Sequence, residues 1–231
     1  MTKRKIEYWV IPPEADGEFV ACMENVLETY ALPYNSSIPV ICMDEQPVQL
    51  LKETRVPIPG TKKHARRVDY EYERAGTASI FMFTEPLAGW RQVRVRKQRT
   101  KIDWALEMAE LLRTRYATAK KVIVVCDNLN THTMGAFYEA FPADQAREIV
   151  RRIEFRYTPK HGSWLNVAEN ELSSMTRQCL KDRRIADIET LQAETSAWDA
   201  ASNRKQRGVD WQFKVDDARI KLKSLYPRSL N

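Results

Sequence analysis

The sequence predicts an α/β fold: a mixed sheet flanked by helices, with a C-terminal helical extension. Three observations carry this. Two dry apolar runs, 38–43 and 122–126, are too short for helices, and each delivers a carboxylate at its end, Asp44 and Asp127. Between them, alternating apolar and polar residues punctuated by glycine turns read as an antiparallel meander. Helical periodicity precedes, separates and follows these runs.

Taken in order, 1–37 reads as an N-terminal connector. Tyr8-Trp9-Val10-Ile11 is a short apolar stretch that Pro12-Pro13 breaks. Phe19, Met23, Val26, Leu27 and Tyr30 then recur at helical spacing and predict one packing helix over 14–30, followed by a turn at Asn35-Ser36-Ser37. The strand 38–43 ends in Asp44-Glu45. From 46 to 67 a loop is expected, with Pro57, Pro59 and Gly60 followed by the basic cluster Lys62, Lys63, His64, Arg66 and Arg67. Residues 68–73 alternate, 74–76 turn, 79–83 form a strand, and Gly89 turns again. Over 90–97, Val93 and Val95 alternate with Arg94 and Arg96, which predicts a basic outer face on the last meander strand.

Ile102, Ala105, Leu106, Ala109, Leu112 and Tyr116 share one helical face, so 102–116 is the crossover into the strand 122–126. Asn130 or Thr131 is expected to cap a helix over 134–141, and 152–157 alternates as a fifth strand. Pro159-Lys160-His161-Gly162 turns into a helix whose apolar stripe is Leu165, Ala168, Leu172, Met175 and Cys179, ending at Arg183-Arg184. Two further helices are expected over 188–203 and 215–225. The division predicted is therefore connector 1–37, catalytic-type domain 38–182 and helical extension 183–231. This order of strand, meander, crossover helix, strand, strand and helix fits a ribonuclease-H-like fold.

Composition narrows the function classes. The chain has 231 residues, 29% of them charged and 10% aromatic, so it can bury a full core and is not disordered. A net charge of +6 and a pI near 9.1 suit a polyanionic partner without fixing one. Seven glycines, none in a GxGxxG pattern, exclude a dinucleotide-binding fingerprint. Cys22, Cys42, Cys126 and Cys179 lie far apart with no CxxC pair, which argues for a reducing cytoplasm and against disulfides or zinc. No apolar run approaches 18 residues, and no signal-peptide core follows the basic start, so no membrane segment is expected.

The acids are the chemistry-bearing feature. A lone Asp after a strand more often caps the next helix, but two dry strands ending alike are poorly explained as two coincidental caps. A third acid comes from the helix after 163, where Glu169 and Glu171 each lie about 80° off the apolar stripe, on opposite sides. Periodicity leaves that choice open. Carboxylates converging on one sheet edge repel one another unless a divalent cation neutralises them, and all-oxygen ligands favour Mg2+ or Mn2+. Two ions are the arrangement that phosphoryl transfer uses.

Asp127-Asn128 followed by His132, and the run Ser163-Trp164-Leu165-Asn166-Val167-Ala168-Glu169-Asn170, resemble the DDE transposases of the mariner-type superfamily, closest to the branch carried by bacterial insertion sequences. The strand ending in Asp44-Glu45 is similar to that family's first motif. Trp211-Gln212-Phe213 with Asp217-Ala218-Arg219 looks like its C-terminal signature. The resemblance implies a triad of Asp44, Asp127 and Glu169 as catalytic residues and metal ligands, with Glu171 outside it and Asn128, His132 and Asn166 in support. It implies Mg2+ or Mn2+, as two ions, and double-stranded DNA as partner, both element ends and target. It also implies a homodimer on DNA, phosphodiester hydrolysis followed by strand transfer, and a cytoplasmic, nucleoid-associated location.

Arg94, Arg96, Lys160, His161, Arg183 and Arg184 are expected to touch the DNA backbone, which gives affinity without sequence reading. Family members usually begin with helix-turn-helix modules, whereas this sequence starts just before the catalytic domain. A separately encoded helix-turn-helix part is therefore one expectation. An unproductive remnant or DNA-binding regulatory subunit is the rival reading. A ribonuclease or resolvase on the same scaffold is disfavoured by the Leu-Asn-x-x-Glu-Asn element.

Overall fold

The computed structural model describes residues 15–227. The apolar stretch at Tyr8 to Ile11, and Glu14 at the expected start of the first helix, lie outside them. Five strands form one sheet: β1 (Val40–Glu53), β2 (Tyr72–Glu85), β3 (Trp90–Arg96), β4 (Val122–Asp127) and β5 (Ile153–Thr158). Their spatial order is β3-β2-β1-β4-β5; β2 runs antiparallel to β1 and β3, while β4 is parallel to β1 and β5. The mixed sheet follows from the connections. Short turns allow the meander, whereas parallel pairing of β1 with β4 needs a crossover helix, α2 (Lys101–Arg113).

Side-chain alternation divides the core into two layers. On β1, Cys42 faces one layer while Ile41 and Met43 face the other. The first layer holds Phe19, Met23, Val26 and Leu27 of α1 (Gly17–Tyr30) and Ala168, Leu172 and Met175 of α5 (Val167–Met175). The second holds Trp104, Met108 and Leu111 of α2, Ala136 and Phe137 of α3 (Met134–Ala140), and Ala146 of α4 (Ala143–Arg151). Every residue of the predicted stripe from Leu165 to Cys179 is buried. Among the described residues, no helix is long and apolar enough to cross a membrane.

The structure differs from the expectations where pairing overrides local pattern. β1 does not stop at Asp44 but runs to Glu53, since β2 supplies partners as far as Tyr72. The loop expected from 46 begins only after Glu53, and the turn expected at 74–76 is strand. The ladder absorbs the change through a register shift between Gln49 and Leu51, and Gly76 sits at φ 102 nearby. The first helix starts at Gly17 because Asp16 caps it, accepting from Glu18 N at 2.9 Å. Helix α3 is preceded at the cap position by Thr133, not Asn130 or Thr131, and no side chain closes that cap. The last predicted helix divides into α7 (Val215–Lys221) and a 3-10 turn, Lys223–Leu225.

Helix α6 (Ile188–Asn203) covers the open edge of the sheet. Val95 N donates to Gln192 Oε1 at 2.7 Å, Val93 N to Asp199 Oδ2 at 3.0 Å, and Arg91 N to Asn203 Oδ1 at 2.8 Å. Polar side chains on one helix thus occupy the backbone donors that a sixth strand would take. That removes a template for edge-to-edge association.

Candidate active site

The parallel register brings Asp44 and Asp127 together. Cys42 of β1 is the partner of Val125 of β4, and both face the layer shared with α1 and α5. Two residues further along each strand stand Asp44 and Asp127. By the period-2 alternation of a strand they share that face, just past the point where the parallel pairing of β1 and β4 stops. Asp44 Oδ1 accepts a hydrogen bond from Glu45 N at 2.8 Å. Burial pushes the Asp44 carboxyl up to about 7, opposed by the Glu45 amide and reinforced by the charges of Asp127, Glu169 and Glu45.

Glu169 reaches the same region because of how α5 begins. Asn166, 1% exposed, caps the helix by accepting from Ala168 N at 3.1 Å. Its Nδ2 donates to Met43 O at 2.9 Å, the carbonyl directly before Asp44. Tyr30 Oη adds a bond to Leu165 O at 2.7 Å. The start of α5 is therefore pinned to β1, and Glu169 lies in its exposed first turn, where the helix dipole favours a carboxylate. Asp44, Glu45 and Glu169 line one open cleft of about 400 Å³ together with Gln46, Ser173 and Arg177. Glu171 is engaged elsewhere. Its two oxygens accept from Arg91 Nε and Nη2, each at 2.9 Å, in a fork that is nearly buried.

Behind these acids, two distant segments meet. The His132 ring is 1% exposed, packs 5.3 Å from the Trp104 ring, and sets Nε2 3.1 Å from Glu45 Oε1. Nδ1 lies 2.6 Å from Asp127 Oδ1 and 3.2 Å from Asp127 O, the angle favouring the main-chain oxygen. Burial works against an imidazolium here, but hydrogen bonds with Asp127, Cys126 and Glu45 outweigh it and push the ring up to about 12. Glu45 and His132 are 87 positions apart, so no local pattern signals their pairing. Asn128 is exposed at the strand end.

The predicted basic residues separate into two groups. Arg94 and Arg96 do not form an open basic face, because β3 turns them toward α2. Arg96 Nε is 2.6 Å from Glu107 and Arg94 Nε 3.9 Å from it, with Asp103 3.5 Å from Arg96. Arg183 pairs with Glu194 at 2.7 Å, and Arg184 with Glu53 at 2.6 Å while donating to the Glu71 and Asp69 carbonyls. Each of these four guanidinium groups meets a carboxylate of the chain, Arg94 and Arg183 while more than a third exposed. Lys160 and His161 instead stand exposed in the turn before Glu169. His161 takes φ 64, and Gly162 must lack a Cβ, which would lie 2.5 Å from Pro159 Cγ. Lys62, Lys63, His64, Arg66 and Arg67 are exposed on the β1–β2 connection. Trp164 is 38% exposed and meets Phe213 edge-on at 6.1 Å between centroids.

The donor set suits a hard divalent cation. All three acids offer oxygen only, and Asp127 Oδ1 is buried without a well-angled hydrogen-bond donor. Among the described residues no three His, Cys, Asp or Glu side chains already form a closed ligand cluster.

A ribonuclease-H-like sheet with acids where the pairing of its adjacent parallel strands stops, and a third on a following helix, defines a class of nucleic-acid-cutting enzymes. The family described as "DDE superfamily endonuclease" matches residues 39–192, and the chain belongs to it. Comparison with curated proteins gives no match. Among solved structures, the chain is similar to a pre-cleavage Mos1 transpososome, with 14% identity and a TM-score of 0.60, covering 98% of this chain and 68% of that one. A Mos1 mariner paired end complex with Mn gives 16% identity and a TM-score of 0.54, covering 90% and 64%. The catalytic domain of Mos1 mariner transposase gives 14% identity and a TM-score of 0.52, covering 86% and 93%. At such identity the likeness is one of fold. The chain spans less than two thirds of the paired-end-complex chain.

Proposed function

We propose that this chain is the catalytic part of a DNA transposase, cutting a phosphodiester at the end of a mobile element and joining that end to target DNA. One observation carries this reading: Asp44 and Asp127 each stand two residues past the last pair of the parallel β1–β4 ladder, on one face, and Asn166 anchors the Glu169 helix to the carbonyl before Asp44. In this reading 38–182 is the catalytic unit, and Asp44, Asp127 and Glu169 hold Mg2+ or Mn2+, two ions in the full site. Bound there, such ions supply activation of the attacking oxygen and stabilisation of the leaving oxygen.

The chain's own residues set the geometry. Asn166 fixes the distance between strand and helix, and Lys160 and His161 approach backbone phosphate from the turn before Glu169. In hydrolysis a P–O bond forms to water as the bond to the 3′ oxygen breaks; one proton of the attacking water leaves to solvent, and the departing 3′ oxygen takes one up to become a hydroxyl. In strand transfer the liberated 3′-hydroxyl attacks a target phosphodiester by the same exchange. The paired-end Mos1 complexes support a reading in which two copies act on two ends, with end recognition in cis or from a separately encoded helix-turn-helix part. The proposed location is the bacterial cytoplasm, on nucleoid DNA.

The test is nicking of DNA carrying the element ends by the purified chain, with end recognition supplied and Mg2+ or Mn2+ added. Asp44→Asn, Asp127→Asn and Glu169→Gln should each abolish divalent-dependent cleavage. Full activity in any one removes that residue from the site.

A further inference from the structure

Glu45 and His132 are not among the three acids, yet they connect two of the strands that carry them. Asp44 and Glu45 are adjacent on β1 and point to opposite faces, so only one of them can enter the cleft with its carboxylate. The other carboxylate, 3% exposed, turns into the second core layer, where an acid without a partner would be costly. Its partner is His132 Nε2 at 3.1 Å. The opposite ring nitrogen, Nδ1, stands 2.6 Å from Asp127 Oδ1. Trp104 lies against the ring, and His132 O accepts from Tyr157 Oη at 2.7 Å, so the imidazole has little freedom to swing. Both of its nitrogens are engaged by acidic residues, one before and one behind.

We infer that Glu45, acting through His132, is a positioning pair that orients the Asp127 carboxylate toward Asp44. The arrangement is Glu45 carboxylate, His132 imidazole, Asp127 carboxylate. It resembles in logic the carboxylate–histidine pairs behind metal ligands, where the outer acid fixes the ring and the ring fixes what it touches. Here the ligand fixed is itself a carboxylate. Nδ1 bonds the Asp127 main-chain oxygen at 3.2 Å and abuts Oδ1 at 2.6 Å, so the ring sets the position from which the Asp127 carboxylate meets a cation. The inference rests on the proposed divalent site.

The test is Mn2+ binding to the full chain without DNA, read by electron paramagnetic resonance of free Mn2+, with thermal melting run on each variant. Asp44→Asn serves as the reference for loss of a direct ligand. Glu45→Ala and His132→Gln should each weaken Mn2+ binding by about 10–100-fold, as outer partners of metal ligands do. The double variant should lose little more than the worse single one, because the two act through one another. Glu45→Gln, which keeps an acceptor for Nε2–H, should stay within about threefold of wild type by the same reasoning. If Glu45→Ala does not fold, His132→Gln, close in volume, carries the test.

Wild-type affinity in folded His132→Gln or Glu45→Ala, with Asp44→Asn impaired, overturns the positioning role and leaves the site reading intact. A wild-type chain that binds no Mn2+, or an Asp44→Asn variant that binds as well as wild type, overturns the site reading and this inference with it.

Discussion

Asn166 Nδ2 donates to Met43 O at 2.9 Å while Asn166 Oδ1 accepts from Ala168 N, so one buried amide joins the end of the apolar run of β1 to the start of α5. Asp44 directly follows one anchor point, and Glu169 directly follows the other. Asn166→Ala should cost about 1–3 kcal/mol, the range for a lost cap with a buried carbonyl left unsatisfied. Cleavage by the fraction that remains folded should fall as well, since strand and helix are no longer held in register. Urea unfolding beside cleavage rates at a temperature where the variant is folded separates the two losses. A variant destabilised but fully active would reduce Asn166 to a cap.

Glu169 and Glu171 should part company when mutated. Glu171→Ala leaves the Arg91 guanidinium, 5% exposed, without its fork partner, and should destabilise by about 3–5 kcal/mol. Glu169→Gln changes an exposed side chain and should shift stability by less than about 0.5 kcal/mol while abolishing cleavage. Denaturation midpoints and nicking assays on both variants decide it; the opposite pattern would exchange their roles.

Nucleic-acid affinity should follow the exposed cations and not the paired ones. Neutralising Lys62, Lys63, Arg66 and Arg67 together should weaken duplex binding and flatten its salt dependence, the log–log slope shrinking by about 0.9 for each phosphate no longer neutralised. Charge reversal at Arg94, Arg96, Arg183 or Arg184 breaks internal pairs first and should appear as lowered stability. Anisotropy titrations at several salt concentrations, with melting curves, distinguish these effects. Equal affinity loss from both groups at unchanged stability contradicts the division.

The C-terminal helix contributes a pH-dependent tie. Arg219 donates to both oxygens of Glu24 on α1, and these bonds, with one from Tyr226, hold the Glu24 carboxyl below its ordinary 4.5 despite partial burial. A depressed folded-state pKa contributes stability above the unfolded value, and that contribution disappears as pH falls through the folded one. The melting temperature of Arg219→Ala should therefore lie below wild type at pH 7 and converge with it as the pH drops well below 4.5. A gap that stays constant with pH would show that Arg219 acts by packing alone.

Much of this architecture is legible in the residues, because dry strands and helical stripes are local patterns. The five-residue apolar run before Asp127, the stripe from Leu165 to Cys179 and the helix over 188–203 each carry their own period. What escapes is set by partners distant in sequence. β1 continues past Asp44 only because β2 pairs with it, and a segment containing Pro47 gives no sign of that on its own. Helix α4 fully buries just Ala146, with Ile149 and Val150 partly covered, and nine residues make too short a stretch to read a period with assurance. The basic alternation at Arg94 and Arg96 looks like an exposed face until Asp103 and Glu107 of α2 cover it. At the site, periodicity leaves Glu169 and Glu171 level, and the Arg91 fork that engages Glu171 spans 80 positions.

An anomalous difference map from crystals of the chain soaked in Mn2+ tests the three-acid site most directly. A peak should bridge the carboxylates of Asp44 and Asp127, with Glu169 within ligand reach and Glu171 still held by Arg91. Density confined to other acids, or a peak that includes Glu171 in place of Glu169, would contradict that site.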